Sequence, residues 1–127
     1  MNNSVEDAAR LLLKSSHTTA FTGAGISVES GIPPFRGPNG IWTKYDPKVL
    51  ELDYFNEHPD ESWQAIKGMF YDYFGKAVAN AAHQSIAKLE ELGIVKAIIT
   101  QNIDNLHQEA GSKVVWEYHG NYKHLIC

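Results

Sequence analysis

Three features of the sequence predict an α/β fold built on a parallel sheet. VKAIIT (95–100) and KVVWEY (113–118) are short apolar, β-branched runs joined by twelve residues, 101–112. That is close to the shortest crossover able to connect parallel strands, and it holds a helical stretch, Ile103 to Ala110, stopped by Gly111. A third β-prone run, TTAFT (18–22), ends abruptly at Gly23-Ala24-Gly25. Strand–helix–strand units of this kind build right-handed α/β sheets.

The elements follow in order. Residues 4–14 predict a helix: Ser4 suits its cap, Glu6 and Asp7 its first turn, and Leu11 to Leu13 an apolar face. Thr18 to Thr22 is the first strand. Loop chemistry then prevails to about residue 40. FTGAGISVESGIPPFRGPNGIW (21–42) holds five glycines and three prolines, with Arg36 among them. Residues 45–80 read as mostly helical and aromatic, with Trp63, Phe70, Tyr71, Tyr73 and Phe74 as core or groove walls. AHQSIAKLEELG sets Ala82, Ile86, Leu89 and Leu92 near one helical face, and Gly93 stops it. More than seventy residues separate the first strand from VKAIIT, too many for one crossover, so a helical and loop-rich insertion forming part of a second lobe is expected.

Composition bounds the function. The 127 residues are 43% hydrophobic and 20% charged with a formal net charge of −4, ordinary material for one globular domain. No block of five like charges occurs, which argues against nucleic acid as a main partner. The opening residues lack the basic and apolar regions of a secretory signal, and no apolar run nears the ~20 residues that cross a bilayer, so a cytoplasmic protein with no membrane partner is expected. The one cysteine, Cys127, excludes an internal disulfide and, standing last, predicts a truncated chain.

In open α/β sheets ligands bind beyond the carboxyl ends of strands. Those ends are Gly23-Ala24-Gly25, Gln101-Asn102-Ile103-Asp104 and His119-Gly120, which should meet at one crevice. Gly23-Ala24-Gly25 follows a strand as a dinucleotide loop does, yet the third glycine of G-x-G-x-x-G would fall at Val28. The fingerprint alone therefore leaves a nucleotide loop and a plain tight turn both open. Residues 31–40, stiff at prolines and hinged at glycines, suit a lid, with Phe35-Arg36 offering an aromatic face beside a cation. Asn102 and Asp104 read either as a helix cap or as a polar cluster for a ribose and a carboxamide. His119 ends a strand, and histidine in general titrates near neutrality, which suits a general base. His17, His58, His83, His107 and His124 lack that placement and read as structural or surface groups.

Taken together, GAGISVESGIPPFRGPNGIW, TQNIDNLHQEAGS and EYHG, in this order, closely resemble the sirtuins, NAD-dependent protein-lysine deacylases. AHQSIAKLEELG resembles the helix that precedes the second motif. The resemblance implies a Rossmann-like parallel sheet with helices on both faces (residues 1–30 and 82–120). It also implies an inserted cofactor loop and helical part (about 31–81) and the start of a zinc-binding module (121–127). Gly23, Ala24, Gly25, Ser27 and Val28 would form the dinucleotide loop. Phe35 and Arg36 would cover the nicotinamide ribose and its phosphate. Gln101 and Asn102 match family positions at the ribose, Ile103 and Asp104 those at the nicotinamide carboxamide, and His119 the catalytic base. Cys127 matches the first of four cysteines that hold a structural zinc.

The implied reaction consumes NAD. The acyl-lysine oxygen attacks the ribose as nicotinamide leaves, and free lysine and O-acetyl-ADP-ribose follow from a protein or peptide substrate. Pro34 departs from the family, which usually has Asp or Thr there. WQAIKGMFYDYF (63–74) carries Tyr71 and Tyr73 but no arginine, whereas family members that remove acidic acyl groups have a Tyr-x-x-Arg pair, so acetyl is favoured. The resemblance covers about half of a sirtuin core, and this piece is expected to be inactive alone. Protein mono-ADP-ribosylation and a non-catalytic NAD-binding module are the competing functions. A hydride-transferring dehydrogenase is disfavoured by the incomplete fingerprint and the long insertion.

Overall fold

A computed structural model describes residues 4–124. The chain opens with helix α1 (Ser4–Lys14) and strand β1 (Thr18–Thr22). A 3₁₀ stretch, Ala24–Ser30, follows β1 with Gly23 alone between them. Gly31 ends it at φ 88°, a left-handed conformation that costs glycine little.

The insertion contains two further 3₁₀ turns, then α2 (Leu52–Glu57), α3 (Pro59–Ile66), a wider π turn (Lys67–Tyr71) and α4 (Asp72–Phe74). It is followed by α5 (Ala81–Glu91), β2 (Val95–Thr100), α6 (Leu106–Glu109) and β3 (Val115–Glu117). The helix expected from Ile103 starts three residues later, because Ile103 to Asn105 serve as the strand-end turn, with Asn105 at φ 65°.

The three strands form one parallel sheet in the order β1-β2-β3. Register decides what meets what. Thr22 pairs with Thr100 and Thr100 with Glu117, so all three strands end at one level. The glycine turn, the 101–104 segment and His119 therefore leave the sheet side by side. Side chains alternate along a strand. Thr22, Ile98 and Thr100 face α5 and α6, whereas the register-matched row Phe21–Ile99–Trp116 lies on the other face. There Phe21 and Trp116 are each 66% exposed.

The largest apolar cluster sits beyond the strand ends, inside the insertion. Ile32, Ile41, Val49, Ala65, Met69, Phe70 and Phe74 close over Leu106 of α6. The wide turn helps form it by burying both Met69 and Phe70. Loop 31–40 folds back tightly: Ile41 N–H donates to the Pro34 carbonyl (2.8 Å) and Trp42 N–H to that of Phe35 (3.1 Å). A Cβ on Gly40 would lie 2.7 Å from the backbone of Phe35 and Arg36, so only glycine fits.

Several expectations need correction. Leu11 and Leu13 are exposed and α1 buries none of its residues. Trp63 and Tyr71 are surface residues; Phe70 and Phe74 are the aromatic walls. On α5 Ala82 and Leu92 are exposed, Ile86 and Leu89 half-buried, and the one fully buried residue is His83.

Candidate active site

The floor of the crevice is a closed hydrogen-bond cluster around Ser27. A serine hydroxyl has one proton to give and room to accept two. Ser27 Oγ donates to Asp104 Oδ2 (2.6 Å) and accepts from Asn102 Nδ2 (3.1 Å). It also lies 3.4 Å from His83 Nε2. His83 Nδ1 accepts the Asn80 backbone N–H (3.3 Å), so neutral His83 carries its proton on Nε2 and donates to Ser27. Every capacity of the hydroxyl is used.

Asp104 is held from both sides, since Oδ1 accepts from Leu106 N–H (3.0 Å), the first amide of α6. Asn102 does not cap; its second amide hydrogen goes to the Gly23 carbonyl (3.1 Å), joining the glycine turn to β2. Asn80 fixes the other end. Its carbonyl oxygen caps α5 in a reciprocal box with His83, and its amide donates to the Ile26 carbonyl (2.7 Å) and to Ser30 Oγ (3.0 Å). Behind this floor His107 bonds Thr22 Oγ1 (2.8 Å) and meets the His83 ring edge-on, centroids 4.9 Å apart. Burial pushes both imidazoles below their ordinary pKa, His107 to about 4.

Two adjoining spaces open above the floor. The inner one, about 240 Å³, has apolar walls from Ile32, Phe35, Ile41, Phe70, Phe74 and Ile103, with Ser27, Asn102 and Asp104 at its polar end. The outer one, about 350 Å³, is lined by Gly23, Pro34 and Arg36. Ala24, Phe35, Gln101, Asn102 and His119 line both and so mark their junction. An apolar slot with a polar end, joined to an open space with a cation, fits a flat amide-bearing ring attached to a sugar phosphate. A larger groove of about 550 Å³ runs between α5 and the α6–β3 turn, lined largely by polar and charged side chains. There Lys88 pairs with Glu91, and Glu90 is taken by the backbone N–H groups of Lys113 and Val114.

Residues 23–127 match the Sir2 family. The chain belongs to the Sir2 family. It is 52% identical over 120 residues to an NAD-dependent protein deacetylase of Caldivirga maquilingensis, covering 94% of this chain and 46% of that one. It is 51% identical over 128 residues to NAD-dependent protein deacylase 2 of Archaeoglobus fulgidus, covering 100% and 50%. A solved complex of Sir2 with a p53 peptide and NAD⁺ superposes with a TM-score of 0.81 at 48% identity, over 95% of this chain and 47% of that one. The chain thus spans about half the length of the curated relatives it matches.

In this Sir2-family chain, ten of the sequence-predicted residues meet at the two spaces: Gly23, Ala24, Ser27, Phe35, Arg36, Gln101, Asn102, Ile103, Asp104 and His119. Gly25 and Val28 line neither, and Val28 is 43% exposed because the 3₁₀ turn carries it outward. Cys127 lies outside the described residues, among which no group of three or more His, Cys, Asp or Glu could hold a metal ion. Asn80 had no role in the sequence reading, and His83 and His107, read there as structural or surface groups, are buried structural members of the floor. Asn80 and His83 had a signal: Asn three positions before a side chain able to bond back is the spacing of a capping box.

Proposed function

We propose that this chain carries the cofactor crevice of an NAD-dependent protein-lysine deacetylase, which cleaves NAD to nicotinamide and O-acetyl-ADP-ribose while freeing acetylated lysine. The observation that carries this reading is the junction: His119, Gln101 and Asn102 line both the apolar slot and the open, Arg36-bearing space. Bond cleavage between a ring and its ribose would occur at such a boundary. Relatives named as deacetylases, and a relative complexed with a peptide and NAD⁺, support it.

NAD, when bound, supplies an electrophilic ribose carbon and a leaving nicotinamide. The residues of this chain supply the rest. Asp104, oriented by Ser27 and Leu106, presents a carboxylate to an amide at the end of the slot. The slot walls exclude water, which protects a developing cation. Arg36 offers charge to the diphosphate. His119 at the junction takes the proton from a ribose hydroxyl so that the oxygen can attack the acyl carbon. Acetyl is the favoured acyl group, because no arginine stands in 63–74 to meet an acidic one. A structural zinc with Cys127 as one thiolate ligand belongs to the same reading, and no step passes through it.

Calorimetric titration of the protein with ADP-ribose and with NAD tests the crevice. A version extended to the length of the relatives, given acetyl-peptide and NAD, tests the reaction. Loss of the acetyl mass with equimolar nicotinamide is the expected outcome. Transfer of ADP-ribose to the peptide, or binding without turnover in the extended version, overturns it.

A further inference from the structure

His107 is the one buried imidazole near the crevice that neither the ligand-facing residues nor the proposed reaction uses. It is 1% exposed, and its Nδ1 has no hydrogen-bond partner among the described residues. An orphaned buried nitrogen is a cost that an apolar ring of similar size would avoid. What the imidazole provides in return is its other nitrogen, Nε2, 2.8 Å from Thr22 Oγ1. Thr22 is the last residue of β1 and immediately precedes Gly23, whose carbonyl receives Asn102. The same ring rests against His83, which donates to Ser27 and through it orients Asp104. His107 thus touches both arms of the floor: the glycine turn through Thr22, and the carboxylate through His83.

We propose that His107 is a positioning residue for the dinucleotide crevice, tying the glycine turn at the end of β1 to the His83–Ser27–Asp104 chain and so fixing the spacing between the Gly23 carbonyl and the Asp104 carboxylate. The choice of ligand rests on the NAD reading above; the geometry does not. The Nε2–H tautomer follows, because it gives Thr22 a donor and leaves Nδ1 as a bare lone pair, whereas the other tautomer buries an unpaired N–H. The ionisable groups that face this ring among the described residues are His83 and Glu90 from α5 and Asp104 from the strand-end turn. β1 brings Thr22, which is uncharged at any pH.

The test compares His107→Phe, which keeps a ring, with His107→Gln, which keeps an N–H within reach of Thr22, and with Thr22→Val. Affinity for ADP-ribose is measured by calorimetry beside thermal unfolding, with hydrogen exchange at the Ile26 amide as a ligand-free report. That amide donates to the Gly23 carbonyl (3.1 Å) and lies far from residue 107 in sequence. His107→Phe should weaken ADP-ribose binding about tenfold, the loss of one hydrogen bond's worth of positioning. It should also speed exchange at Ile26. His107→Gln should restore both to within about threefold, a few tenths to 0.7 kcal/mol. Thr22→Val should reproduce the loss, and the double variant should add nothing to it.

Equal melting losses for Phe and Gln with unchanged affinity would mean packing alone and overturn the proposal. So would additive losses in the double variant. If His107→Phe does not fold, Thr22→Val decides, and an unchanged affinity with unchanged Ile26 exchange sinks the idea. If the unmodified protein binds neither NAD nor ADP-ribose, the NAD reading fails on its own. The exchange data then judge His107, with protection at Ile26 lost in Phe and regained in Gln for support, and unaltered in both against.

Discussion

The floor and the rim of the crevice are built on different physical terms. Ser27, His83 and Asp104 are at most 5% exposed, and Ser27 uses its full hydrogen-bonding capacity within the chain. Arg36 and His119, on the rim of the same crevice, are exposed and make no side-chain hydrogen bond or ion pair among the described residues. The floor is ordered during folding and meets a ligand ready-made. The rim leaves the Arg36 guanidinium and the His119 imidazole open for a ligand to engage. Damage to the floor should therefore register in stability as well as in binding, and damage to the rim in binding or turnover alone.

The largest effect expected is that of Ser27→Ala. It orphans Asp104 Oδ2, the His83 N–H and one Asn102 hydrogen at once, each worth about 1–3 kcal/mol when buried, so a loss of about 4 kcal/mol should appear in urea unfolding. A loss below about 1 kcal/mol would show that the floor is less tightly coupled than its geometry indicates.

Acid should loosen the floor next. The folded His107 pKa is held down near 4 while the unfolded imidazole takes its proton near 6.5. Between those values the unfolded state binds more protons, so this stabilisation is complete above about pH 6.5 and falls as the pH drops toward 4. The full window is worth about 3 kcal/mol, and His83 shifts in the same direction. Unfolding curves at stepped pH measure it, and His107→Gln should flatten the slope.

Gly40→Ala sharpens the contrast at the loop between floor and rim. Its methyl would press on the backbone of Phe35 and Arg36, at about 2 kcal/mol, and should shift Phe35 at the mouth of the slot. The smallest stability change belongs to His119→Ala, within about 0.5 kcal/mol as for other exposed groups. NAD affinity should be nearly kept and turnover of the extended version abolished. A large melting shift in that variant would break the division between floor and rim.

Much of this was legible from the chain. The strands at 18–22 and 95–100, the stops at Gly93 and Gly111, and the meeting of three strand ends followed from local pattern and the rules of parallel sheets. Asn102 and Asp104 carried two meanings each, cap or ligand cluster. The fold divides them: Asp104 holds the first amide of α6 while facing the slot, and Asn102 reaches across to the glycine turn. The histidines of the floor were not legible. His83 meets Ser27 from 56 positions away and His107 meets Thr22 from 85, contacts created by sheet register and the docking of α5 and α6. No local periodicity encodes them. The aromatic run 63–74 misled for a related reason: the π turn rotates the register of the helix, taking Trp63 outward and Phe70 inward.

The row Phe21–Ile99–Trp116 has a practical consequence of its own. Parallel sheets normally have both faces covered, so an open aromatic ledge of this kind will adsorb detergents, dyes and other greasy surfaces. Because neighbouring residues in a strand point opposite ways, this ledge lies on the face of the sheet away from Thr22 and Thr100. Lysine or glutamate in place of Trp116 should keep concentrated samples of this chain dispersed while leaving Thr22, Thr100 and their partners on the opposite face in place.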